Sequence, residues 1–373
     1  MYHQESEDSY IALLSGKEIM DPYAVVRESF KDSSSPVALQ DELYELLTLT
    51  MRPNYWMSYP SPLVLYKKYK KIFRLFEAGW LIQMIRPEFD LSKKLSIPFK
   101  EIEVDQIKSQ GFQASSDPLT NEYQSLVKFY SSYSISLLGR DITSLLYDGL
   151  MPSVTNCIYE VDGYFVEKVQ AMCELIRVLH TIGRFEQNIV LSPRDIDVLT
   201  REKAKFFARN NLSDYEHGNN DIFKASDKEE LTRALAIIRE ILSTENFWKL
   251  HGNPADILYY FIEYFYVIDY FWCHYQYIVK AGRDISTKWK YPKRVRRELH
   301  SQGHEWIDRP WEFLHDEFNK KSIHRWSHRT ERLLMDVLSN RNFGTADEHS
   351  EVLSFLDRLL LLADLLDYEP NEC

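Results

Sequence analysis

Six times in this chain a small polar residue stands directly before a proline: Asp21-Pro22, Ser35-Pro36, Ser61-Pro62, Asp117-Pro118, Ser192-Pro193 and Asn253-Pro254. A helix accepts proline freely only in its first turn, where the missing N–H would be unpaired anyway. A polar side chain just ahead of it can accept from the free amides that follow. Each pair precedes helix formers with apolar residues three or four apart, the period of an amphipathic helix. Ser226-Asp227-Lys228-Glu229 adds a capping box ahead of Leu231, Leu235 and Ile238. The pattern predicts an all-α fold, a multi-helix globular bundle with little or no sheet.

Helices are expected over residues 23–30, 37–51, 63–86, 119–150, 154–185, 194–209, 227–243, 255–281, 294–300, 311–319, 323–339 and 347–366, with breaks in the long runs near Gly139 and Gly163. The only strand-like alternation is Ile102-Glu103-Val104. Eleven aromatic residues crowd the stretch 255–281 and occupy every face of the helix expected there. A helix apolar all round belongs at the centre of a bundle. Glu263, Asp269 and His274 interrupt this run, which reads as a buried helix and not as a membrane span. They are expected to take hydrogen bonds from buried tyrosine hydroxyls.

The chain has 373 residues, enough for two or three domains or one large helical body. The polar stretch 210–225 is expected to connect an N-terminal helical region, 1–209, to a C-terminal one, 226–373; the two could also pack as one domain. The four cysteines form no CxxC pair, and the N-terminus is acidic and polar. Both fit a reducing, cytoplasmic setting without a secretory leader. Glycine numbers only 12, and no GxGxxG or GxxxxGK[ST] loop is present, which argues against Rossmann and P-loop enzymes.

Histidines cluster late in the chain, with His300/His304 and His324/His328 at i,i+4 spacing, where a helix would bring both imidazoles to one face. The dipeptide His315-Asp316 resembles the central motif of the HD-domain metal phosphohydrolases, which are all-helical. Matched to that family's order of ligands, the set would be His274, then His315 and Asp316, then Asp364. The resemblance implies a divalent metal that lowers the pKa of bound water and neutralises a phosphate under attack. No cofactor is expected outside that reading.

Residues 283–332 hold thirteen Lys plus Arg against eight Asp plus Glu in a chain whose net charge is −11. Lys288, Lys290, Lys293, Arg294, Arg296 and Arg297 interleave with Trp289 and Tyr291, a pattern that can neutralise phosphates while rings stack on bases. A rival use is internal, because the strongly acidic segment 333–373 follows directly. A second cluster, Lys67-Lys68-Tyr69-Lys70-Lys71, reads as a solvated helix face. The expectation is a noncatalytic interaction or regulatory protein with a protein partner and nucleic-acid contact through 288–297. The alternative is an HD-like phosphohydrolase.

Overall fold

The structure is a computed structural model that describes residues 13–31, 35–49, 54–86, 118–152, 163–187, 189–206, 225–245, 247–250, 252–280, 293–301, 303–339 and 344–366. Among them every regular element is helical: α1 Gly16–Met20, α2 Pro22–Ser29, α3 Val37–Leu49, α4 Leu63–Ile85, α5 Pro118–Ser132, α6 Ile135–Leu150, α7 Gly163–Phe185, α8 Pro193–Phe206, α9 Ala225–Ser243, α10 Phe247–Leu250, α11 Pro254–Lys280, α12 Lys293–Ser301, α13 Pro310–Lys320, α14 Ile323–Leu338 and α15 Ala346–Leu366. Short 3-10 turns at Tyr55–Ser58 and Glu305–Asp308 complete them. No helix of the described residues is long and apolar enough to cross a membrane.

The proline pairs do open helices. Ala24 N–H donates to Asp21 Oδ1 at 3.0 Å, Val37 N–H to Ser35 Oγ at 3.2 Å and Ala255 N–H to Asn253 Oδ1 at 3.1 Å. At Ser192 the cap is reciprocal: Asp195 N–H donates to Ser192 Oγ, and Ser192 N–H to Asp195 Oδ2. The helix expected over 119–150 breaks elsewhere than anticipated. Gly139 lies buried within α6, and the chain instead restarts at Ser134, whose extended backbone and side-chain cap on Leu137 N–H begin α6. The Ile102–Val104 stretch and the 210–224 part of the connection fall outside the described residues.

Helix α11 is central, as its aromatic sequence predicts. It buries Phe261, Tyr264, Phe265, Phe271 and Tyr275 and packs against α6, α9, α13, α14 and α15. The tyrosines there find partners on other helices. Tyr264 Oη donates to Leu231 O at 2.8 Å, Tyr260 Oη to Glu230, and Tyr275 Oη bonds His315 Nδ1. A second buried rod, α4, packs against α2, α3, α5, α6, α7, α8 and α14. One continuous apolar cluster runs from Leu13 to Ala363 and joins both rods.

The Lys67–Lys71 cluster on α4 is only in part the solvated face its composition predicts: Lys67 is exposed, while its neighbours reach acidic partners. Lys68 pairs with Glu45, Lys71 with Glu42 at 3.3 Å, Lys70 with Glu331 at 2.6 Å, and Arg74 one turn on with Glu18. Glu331 lies on α14 and also accepts from Tyr66 Oη at 3.0 Å, so an ionic network ties the two halves of the chain together.

Candidate ligand cleft

The four residues of the metal expectation occupy separate settings. His274 on α11 stacks between Tyr270 and Trp311, with ring centroids 5.7 and 5.1 Å away. His315 on α13 bonds Tyr275 Oη through Nδ1 at 2.9 Å, and its Nε2 meets the Asn319 amide at 2.8 Å. Asp316 is exposed. Asp364 on α15 is half exposed and faces Lys228 Nζ at 3.9 Å. Among the described residues no three His, Cys, Asp or Glu side chains gather as a metal site would require. His315 meets Tyr275 and Asn319 through its two ring nitrogens, and the His274 ring is stacked against Tyr270 and Trp311.

Of the two histidine pairs, one separates and one shares a helix. Gly303, with φ of +84°, sits just past the end of α12 and puts His304 off the helix that carries His300. His324 and His328 do share α14: His324 Nε2 accepts from Gly16 N–H at 2.9 Å, while exposed His328 lies 4.0 Å from Glu331.

Of the basic segment, Lys288 and Lys290 lie outside the described residues, as do the side chains of Lys293 and Arg294 at the start of α12. Arg296 forks onto Asp308, which His300 also reaches at 3.2 Å. Burial pushes the Asp308 carboxyl up, but the bonds from Arg296 and His300 outweigh that and hold it below the usual range. Arg297 is exposed. Further along, basic side chains meet the acidic C-terminal helix. Lys321 and Arg329 both pair with Glu351, and Arg332 lies 3.6 Å from Glu348.

A cleft of about 400 Å³ lies where the C-terminal end of α9 meets the N-terminal end of α15. The two helices run antiparallel: Lys228 meets Ala363 O at 3.3 Å near one end, Arg239 pairs with Asp357 midway, and Ser243 and His349 line the cleft at the other. Thr345 and Glu348 form a capping box that starts α15 beside it.

His349 is the most constrained side chain of this wall. Its Nε2 lies 2.7 Å from Asp336 Oδ2, and the Asp336 side chain is wholly buried at the end of α14. The same oxygen accepts Gly344 N–H at 2.8 Å. A Cβ at Gly344 would stand 2.6 Å from His349 Nε2 and 2.8 Å from Asp336 Oδ2, so only glycine admits this contact. A carboxylate that fixes one ring nitrogen leaves the other, Nδ1, to serve a ligand. Leu242 and Leu353 supply apolar wall, and Ser243, Ser350 and Ser354 supply hydroxyls.

Sequence reasoning did not single out Asp336, Gly344 or His349. Thirteen residues separate the acid from the imidazole, and no motif spans them; the capping pattern Thr345-x-x-Glu348 is the one local signal. No family profile, curated protein or solved structure matches this chain.

Proposed function

We propose that this all-helical protein works by binding, and that its ligand is a small uncharged polar molecule seated between α9 and α15. The observation that carries the reading is that the ionisable groups lining the cleft already have partners. Arg239 is neutralised by Asp357, and His349 is held by Asp336. An ion entering would have to compete with the contact on buried Asp336, and weakly with the exposed Arg239–Asp357 pair, whereas a neutral donor or acceptor need not. The groove, about 400 Å³ and open to solvent on one side, is lined mainly by polar side chains with Leu242 and Leu353 as its apolar part, which suits a polar ligand held along one face.

The test is a screen of uncharged amides, polyols and nucleosides against the full chain, read by ring-nitrogen spectra of labelled histidine and by melting temperature. The expected result is a fragment that shifts the His349 signals and raises the melting temperature. Ser350 is exposed on the cleft wall, so Ser350→Trp should fill the cleft and abolish both effects while leaving the fold intact. A screen in which no fragment moves His349, or in which binding survives Ser350→Trp unchanged, overturns the reading.

A further inference from the structure

Four consecutive backbone amides near the start of the described chain donate to side chains. Leu13 N–H reaches Glu77 Oε2 at 3.0 Å and Leu14 N–H the same oxygen at 3.1 Å. Ser15 N–H reaches Glu18 Oε2 at 2.6 Å, and Gly16 N–H reaches His324 Nε2 at 2.9 Å. Residues 13–20 thus form a strap across α4 and α14, with Leu13, Leu14 and Ile19 buried beneath it.

The last of these bonds has a requirement the other three lack. A ring nitrogen that accepts an N–H must carry no proton of its own, so His324 is neutral and protonated at Nδ1 in the docked state. An imidazolium presents N–H at both nitrogens. Gly16 N–H and Nε2–H would then point at each other, donor against donor. Protonation and docking at Gly16 are therefore mutually exclusive, and proton uptake by His324 must favour the undocked strap.

We propose that His324 is an acid-sensitive latch for residues 13–20: neutral imidazole holds the strap at Gly16, and protonation of the ring releases it. The charged groups on the elements around the latch pull in both directions. Lys17 on α1, Lys70 and Arg74 on α4 and Arg325 on α14 oppose the imidazolium. Glu18 on α1 and Glu331 on α14 favour it, Glu77 on α4 does so only when ionised, and His328 lies 4.0 Å from Glu331. On α8, which also packs against α1, Asp195 is paired with Arg86, Arg201 with Asp197, Glu202 is buried and Arg194 is exposed. Burial pushes the Glu77 carboxyl well above its ordinary range despite the Leu13 and Leu14 amides. Relieving that burial makes Glu77 give up its proton, so acid acting on Glu77 favours the docked strap, and the latch must be read separately from it.

The separation is made by amide hydrogen exchange on the full chain between about pH 8 and about pH 5, corrected for intrinsic rates, alongside ring-nitrogen shifts of His324. The expected result is a loss of protection at Gly16 by about tenfold or more, with the midpoint of His324 protonation, while α11 stays protected. In His324→Gln, whose side-chain oxygen accepts but cannot be protonated in this range, protection at Gly16 should not fall over the same interval. Protection that ignores the His324 midpoint in the natural chain overturns the proposal, whatever the variant does. So does simultaneous loss in the strap and α11, or an identical profile in His324→Gln.

Discussion

Glu77 shows how much one carboxyl can organise. It is fully buried on α4, and it takes the amides of Leu13 and Leu14. Replacing it by alanine leaves two buried N–H groups without acceptors, at about 1–3 kcal/mol each. Glu77→Ala should therefore lower the denaturant midpoint strongly, by about 2–5 kcal/mol of unfolding free energy. A change below about 1 kcal/mol in urea titration would mean that the strap finds other partners. Asp148 at the C-terminal end of α6 gives a cleaner titration. Burial raises its carboxyl to about 6 from 3.8. The folded protein then holds this proton more tightly than the unfolded chain, so the group favours the fold most below its unfolded value and loses that advantage as pH rises through about 6. Asp148→Asn should raise stability at pH 7 by roughly 1 kcal/mol and flatten the pH profile between the two values. An unchanged profile would show that the folded and unfolded carboxyls titrate alike.

At the scale of elements, the contact between α14 and the first turns of α15 is electrostatic at its edge. The hydrogen bond from Lys321, with the neighbouring charge of Arg329, holds the Glu351 carboxyl below its ordinary range despite partial burial. That interaction stabilises the fold above the unfolded value and is lost as pH falls through the lower, folded one. Because Glu351 is 40 % exposed, water and salt screen it heavily. Glu351→Gln should cost only a few tenths of a kcal/mol at neutral pH and low salt, and the difference from the natural chain should vanish in high salt or in strong acid. A penalty that persists in strong acid would point to packing and not charge. Helix starts were the legible part of this architecture, because a polar residue before proline is a local device. The break between α5 and α6 was not legible. Tyr133-Ser134-Ile135 contains neither glycine nor proline, and serine caps are invisible inside continuous apolar periodicity. Ion pairing of Lys70 with Glu331 was equally hidden, since 261 residues separate the partners. The cleft failed for a similar reason: Arg239 meets Asp357 only through the antiparallel pairing of α9 with α15, and Asp336 meets His349 only through the packing of α14 on α15.

For the whole molecule, the main apolar cluster of the described residues, which joins α4 and α11, sets the expected mode of unfolding. Helices that share this cluster should lose it together, so far-ultraviolet dichroism and tryptophan fluorescence should report one coincident transition. Two resolved transitions would show that the regions before and after the 210–225 stretch fold as separate units. Phe261, fully buried on α11, touches the heart of that core. Phe261→Ala should cost about 3–5 kcal/mol and shift both optical probes together. If only one probe moved, the two rods would not share a fate.

Helix α14 carries His324 near its first residue and Asp336 near its last. Twelve residues of α-helix measure about 18 Å and bend little. The imidazole that grips Gly16 and the carboxylate that steers His349 are therefore two ends of one stiff lever. A ligand in the proposed cleft that tilted this helix would act on the seating of α1, and linkage would then require the seating of α1 to act on that ligand in equal measure.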